Sequence, residues 1–121
     1  MEIKTGKEVI DLEIKALELL KSSISQNFIK VIKLLHKNSG KICISGIGKS
    51  GHIATKIAST LASVGSPAFF IHPSEANHGD LGMLERRDCV ILISNSGETS
   101  ELINLILHCR KLKIPIISIT S

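Results

Sequence analysis

Tryptophan and tyrosine are absent from this sequence, and phenylalanine occurs only three times. Stacking on bases has few candidates, which argues against nucleic acid as a partner, and the core must be aliphatic. No apolar run is long enough to cross a bilayer. The opening stretch "MEIKTGKEVIDLEIKALELL" intersperses charges where a signal peptide needs an unbroken apolar centre. The expectation is a cytoplasmic protein with no membrane partner. Cysteine is also scarce: Cys43, Cys89 and Cys109 show no C-x-x-C spacing, and two of them lie inside the apolar runs Ile42-Cys43-Ile44 and Cys89-Val90-Ile91. That pattern fits buried free thiols in a reducing compartment better than disulfides or metal ligands.

What is present is globular in composition, with 43% hydrophobic and 21% charged residues. A chain of 121 residues can bury one core but is short for a complete α/β enzyme. The net charge of +4 is scattered rather than gathered in one run, which suits small anions as well as polyanions.

From Glu8 to Lys37, apolar residues recur at Ile10, Ile14, Leu17, Ile24, Phe28, Val31 and Leu35, on one helical face. This predicts one long helix, or two broken near Ser22-Ser23, stopped at Asn38-Ser39-Gly40 with Gly40 as a left-handed cap. So much apolar face ahead of the first strand needs a cover, either the sheet or another subunit, so residues 1–40 form a helical region and a homo-oligomer is expected. Four short apolar runs follow, near 41–45, 67–72, 88–94 and 115–120, with helical patterns after the first and third and a polar loop from Pro73 to Met83. Strand, helix, strand, loop, strand, helix, strand is the grammar of an α/β fold with a parallel sheet of about four strands. Ligands of such sheets lie beyond the carboxyl ends of the strands, which directs attention to 45–50, 72–78 and 94–99. The fourth strand coincides with Ser121, so the turn, helix and further strand that usually close such a sheet are expected to be missing.

The first of these loops, "SGIGKSGH", nearly fits two nucleotide signatures. A Walker A loop needs glycine where Cys43 stands. The G-x-G-x-x-G spacing of Gly46, Gly48 and Gly51 suits a dinucleotide, but an acidic residue should end the second strand, and that position falls near His72. The third loop, "SNSGETSE", supplies the hydroxyls of Ser94, Ser96, Thr99 and Ser100, a flexible Gly97 and the amides of a starting helix. Taken alone it reads as an ordinary N-cap; paired with a second Ser/Gly loop on one sheet edge it suggests a small phosphorylated ligand.

"SGIGKSGHIATKIASTLASVGSPAFFIHPSEANHGDLGM" and "ISNSGETSEL" closely resemble the sugar isomerase (SIS) domain, and within it the arabinose-5-phosphate isomerases that feed Kdo and lipopolysaccharide synthesis. The resemblance implies a Rossmann-type three-layer sandwich over 41–121, incomplete at its carboxyl end, and interconversion of D-ribulose 5-phosphate and D-arabinose 5-phosphate. It also implies catalytic roles for Lys49 and Glu101. Substrate contacts carried over are Ser45, Gly46 and Ser50 around the glycine loop, Gly65 and Ser66 after the helix, and His72 and His78 in the polar loop. Ser94, Asn95, Ser96, Gly97 and Thr99 complete that set. No cofactor is required, although His72 occupies the position where the family can hold zinc, and one histidine is no metal site. The resembling isomerases take a further glutamate and histidine from beyond the fourth strand and usually carry paired CBS domains, none of which is in these residues. Three readings stay open: an isomerase domain completed by a missing segment or partner, a sugar-phosphate-sensing module, and an oligomerising module without ligand.

Overall fold

A computed structural model describes residues 1–121. The chain divides into two compact units, Met1–Lys33 and Leu34–Ser121. The first holds α1 (Glu2–Ser23) and the beginning of α2 (Gln26–Lys37). The break falls where the paired serines predict it. Ser22 and Ser23 donate their hydroxyls to the carbonyls of Leu19 and Leu20, each at 2.7 Å, and Ile24 turns extended; such back-bonding competes with helix continuation. No residue of α1 is buried.

The second unit starts before residue 41, because Leu34 and Leu35 in the last turn of α2 are half-buried. Asn38 donates its side-chain amide to the carbonyls of Gly40 at 2.9 Å and Lys41 at 3.3 Å. Gly40 is not the left-handed cap the sequence suggests: it is absent from the positive-φ residues. Its role is spatial, since a β-carbon there would run into the Arg87 carbonyl and the Asp88 carboxylate.

The sheet contains β1 (Ile42–Ser45), β2 (Ala68–Phe70), β3 (Cys89–Ile93) and β4 (Ile116–Ile119), all parallel, in the order β2-β1-β3-β4. The expected strands are there, and the most apolar runs became the two central strands, as covering on both faces requires. Ile42 pairs with Ala68 on one side and Cys89 on the other, and Val90 pairs with Ile116. Alternation along the strands sends Cys43, Val90 and Leu92 to one face, where they pack with Ala76, Leu102, Leu105, Cys109 and Ile114. Helix α3 (Lys49–Ser63) lies on β1 and β2 and buries only Gly51, Ala54 and Ala58, a stripe of small residues that permits close approach.

Segment 73–83 departs from the expected loop. It folds into α4 (Pro73–Ala76), with Pro73 at a position where a missing N–H costs nothing, and a 3₁₀ turn (Asp80–Met83). Ala76 and Leu84 belong to the core, with half-buried Leu81 against it. All three cysteines are buried and free. Burial pushes the Cys43 thiol up to about 12 and those of Cys89 and Cys109 to about 11, so they stay protonated and inert at neutral pH.

Candidate functional site

The strand order makes the chain leave β1 toward β2 on one side and return to β3 on the other. The loops after β1 and β3 therefore diverge from neighbouring strand ends, the switch point at which open α/β sheets hold ligands. The glycine loop packs there against the end of β3, from which the serine loop departs. A β-carbon on Gly46 would lie 3.0 Å from the Ile93 carbonyl and 2.9 Å from the Ser50 carbonyl carbon, and one on Gly51 would lie 2.7 Å from the Gly46 carbonyl. Only hydrogen fits at either position. Gly48 has open space around it but φ of +58°, a positive value that favours glycine where the chain enters α3. No side chain caps α3; the His52 amide bonds to the Gly48 carbonyl at 3.1 Å, and the amides of Lys49, Ser50 and Gly51 precede the first helical hydrogen bond. Lys49 is exposed and has no carboxylate within ion-pair distance.

The serine loop differs from its expected form. Helix α5 (Ile103–Leu112) starts late, after a 3₁₀ turn at Ser100–Leu102, and a tight turn with Gly97 at φ +71° precedes both. Buried Ser94 accepts from the Gly97 amide at 3.0 Å and shares a 2.6 Å hydrogen bond with the Thr99 hydroxyl. Ser96 accepts from the Glu98 amide at 3.1 Å. Two hydroxyl hydrogens meet in the Ser94–Thr99 pair and one suffices for their bond, so the other is free for a ligand. Asn95, Ser96 and Gly97 are exposed above this brace, and so is Glu101, whose carboxylate accepts the Ser100 hydroxyl at 3.2 Å. No ion pair joins Lys49 to Glu101.

Ser45 sits below the loops, fully buried, donating its hydroxyl to the Ile71 carbonyl at 2.6 Å; it ties β1 to the end of β2. Half-buried Ser50 remains at the surface in the first turn of α3. Gly65 and Ser66 are not brought to these loops. Helix α3 runs back against the strand direction, so its end lies at the amino edge of the sheet, where the Ser66 amide donates to the Leu61 carbonyl at 2.9 Å. A cavity of about 660 Å³ opens at that edge and is lined by Lys41, Gly65, Phe69 and Met83, among others. Its Lys41 is already engaged with Glu85 and Asp88 at 3.6 and 3.8 Å, so it offers few convergent polar groups. The switch point, not this larger space, is where chemistry-bearing residues gather.

On the β2 side of the glycine loop, a cavity of about 320 Å³ is lined by Gly48, Gly51, His52, Thr55, Phe70 and His72. His52, Thr55 and Phe70 carry no motif signal of their own, although Gly48, Gly51, His52 and Thr55 follow one helical face. The His72 ring meets Phe70 edge-on at 6.3 Å, and its Nδ1 caps α4 by accepting from the Ser74 amide at 3.1 Å. A neutral imidazole holding a metal through Nε2 carries its proton on Nδ1, which would set two N–H groups against each other. No three His, Cys, Asp or Glu side chains converge anywhere, so the residues of this chain do not fit a zinc ion. His78 is exposed in the turn after α4.

The SIS domain profile matches residues 34–121. The chain belongs to the SIS domain family. Among curated SIS proteins it is 49% identical to the arabinose 5-phosphate isomerase KdsD of Francisella tularensis, with 98% of this chain and 37% of that protein aligned. It is likewise 49% identical to KdsD of Escherichia coli K12, over 97% of this chain and 36% of that protein. The chain thus spans little more than a third of these relatives. Among solved SIS structures, c3406 of Escherichia coli CFT073 in complex with arabinose 5-phosphate superposes with a TM-score of 0.90 at 46% identity, over 98% of this chain and 63% of that one. The four-stranded parallel sheet with flanking helices is therefore the SIS fold, as the motifs imply. No helix is long and apolar enough to cross a membrane.

Proposed function

We propose that this SIS domain binds a phosphorylated sugar at the switch point and contributes the glycine-loop and serine-loop half of an isomerase site for D-arabinose 5-phosphate and D-ribulose 5-phosphate. The observation that carries the reading is the packing of Gly46 against the Ile93 carbonyl at the end of β3, where the serine loop begins, beside the uncapped start of α3. Unpaired amides and a free lysine suit a phosphate dianion, and the similarity to a protein solved with arabinose 5-phosphate supports the choice of sugar.

Interconversion removes the proton at C2 of the aldose to give an enediol and delivers a proton to C1, so a base must work beside a group that stabilises the developing oxyanion. Glu101 is the base in this reading, and Lys49 neutralises phosphate or enediolate charge. His72 and His78 face the sugar, and Ser96 and Gly97 offer the phosphate their loop. Arabinose 5-phosphate so formed would enter Kdo and lipopolysaccharide synthesis in the cytoplasm. The exposed Ile10, Ile14 and Leu17 support self-association through residues 1–33.

The test is proton exchange at C2, the partial reaction that calls only on the base and the cation this half-site holds and not on completion of the isomerisation. Incubated with D-arabinose 5-phosphate in deuterated water, the chain is expected to erase the C2 proton signal faster than buffer does. A bound sugar whose C2 proton persists at the buffer rate would leave a binding module and overturn the catalytic part.

A further inference from the structure

We infer that Asn77 and Asn104 act together as a clamp that holds the His78 turn against the face shared by Glu101 of the 3₁₀ turn and Asn104 of α5. The inference rests on the functional reading above only for what the clamp serves. The Asn104 side-chain amide donates to the Asn77 carbonyl oxygen at 2.8 Å, across 27 positions of sequence. The other hydrogen bonds between side chains join residues at most five positions apart.

The neighbours of the two asparagines repeat one arrangement on both sides. Ala76 is buried in the core, while Asn77, which makes the link, and His78 are exposed; Leu102 and Leu105 are buried in the same cluster, while Asn104, which makes the link, and Glu101 are exposed. Glu101 and Asn104 are three positions apart, so they share a face where the 3₁₀ turn passes into α5. Helix α4 packs on both that turn and α5. An apolar contact alone leaves a four-residue helix free to rock; the polar link at its rim fixes the rotation, and with it the spacing of His78 from Glu101. The asparagines are positioning residues and touch no reacting atom.

Amide hydrogen exchange on the 121-residue chain tests the clamp without any ligand. The His78 and Gly79 amides are bonded to the Glu75 and Ala76 carbonyls, so their exchange reports the opening of this turn. Asn104→Ala and Asn77→Ala should each speed it roughly three- to tenfold, with β1 amides unchanged and the double variant no faster than either single one. Asn77→Asp keeps the acceptor and should stay near the parent rate. Unchanged exchange in both alanine variants, additive effects, or an aspartate variant as fast as alanine would overturn the clamp. In the same variants, exchange of the sugar's C2 proton should slow by a similar factor while affinity for inorganic phosphate holds. A parent chain that exchanges no C2 proton counts against the isomerase reading, and the amide rates still decide the clamp.

Discussion

Glu101→Gln is expected to slow exchange of the C2 proton by roughly 10²- to 10⁴-fold, the range a positioned general base supplies. Binding of D-arabinose 5-phosphate should change little, because glutamine keeps the size and hydrogen-bonding capacity of the side chain and loses only the basic oxygen. Lys49→Ala should behave differently. It removes a cation from an anion site, so affinity should fall about tenfold or more along with the rate. The contrast separates a group that acts on the proton from one that acts on charge. Equal losses of affinity in both variants would remove Glu101 from the role of base, and a rate that ignores both would remove the assignment altogether.

The second large effect belongs to stability. Asp88 is 1% exposed and its carboxylate accepts from the Lys41 amide through Oδ1 and the Glu85 amide through Oδ2, each at 2.8 Å. Lys41 leads into β1, and its carbonyl receives the Cys89 amide of β3 at 3.0 Å. One carboxylate therefore joins the amino ends of the two central strands. Asp88→Ala leaves two amides without acceptors, at about 1–3 kcal/mol each where water cannot replace them. A loss of about 3 kcal/mol is expected as a lower urea midpoint at unchanged slope, a large part of the ~5–15 kcal/mol typical of a domain. Asp88→Asn should recover only part of it, since one amide would then face an NH₂ group. A change below about 1 kcal/mol would mean that the strand ends are held by the ladder alone.

Much of this architecture is legible in the sequence because central strands and crossover helices write strong patterns. Ile42-Cys43-Ile44 and Cys89 through Ile93 are apolar on both faces, and the glycines at 46, 48 and 51 mark a strand-to-helix turn. The less legible parts are those where a side chain answers to something distant. A serine in a loop can face a ligand or its own backbone, and Ser45 and Ser94 turned inward to the Ile71 carbonyl and the Gly97 amide. Gly40 looks like a cap, yet it is small for the sake of Asp88, far along the chain. Gly65 and Ser66 follow the glycine loop closely in sequence, but a helix of 15 residues carries them to the opposite edge of the sheet. Asn104 sits among apolar neighbours with no local sign that its partner is Asn77. The helix start after the serine loop is displaced because the Ser94–Thr99 hydrogen bond closes a turn first.

The most direct measurement is an amide ¹H–¹⁵N spectrum of the chain titrated with D-arabinose 5-phosphate, with unphosphorylated D-arabinose as control. Dispersed peaks with shifts confined to Gly46–Gly51 and Ser94–Glu101, for the phosphorylated sugar alone, are the predicted result. Shifts centred on Lys41, Gly65 and Met83 at the amino edge, or none at saturating sugar phosphate, would contradict a phosphosugar site at the switch point.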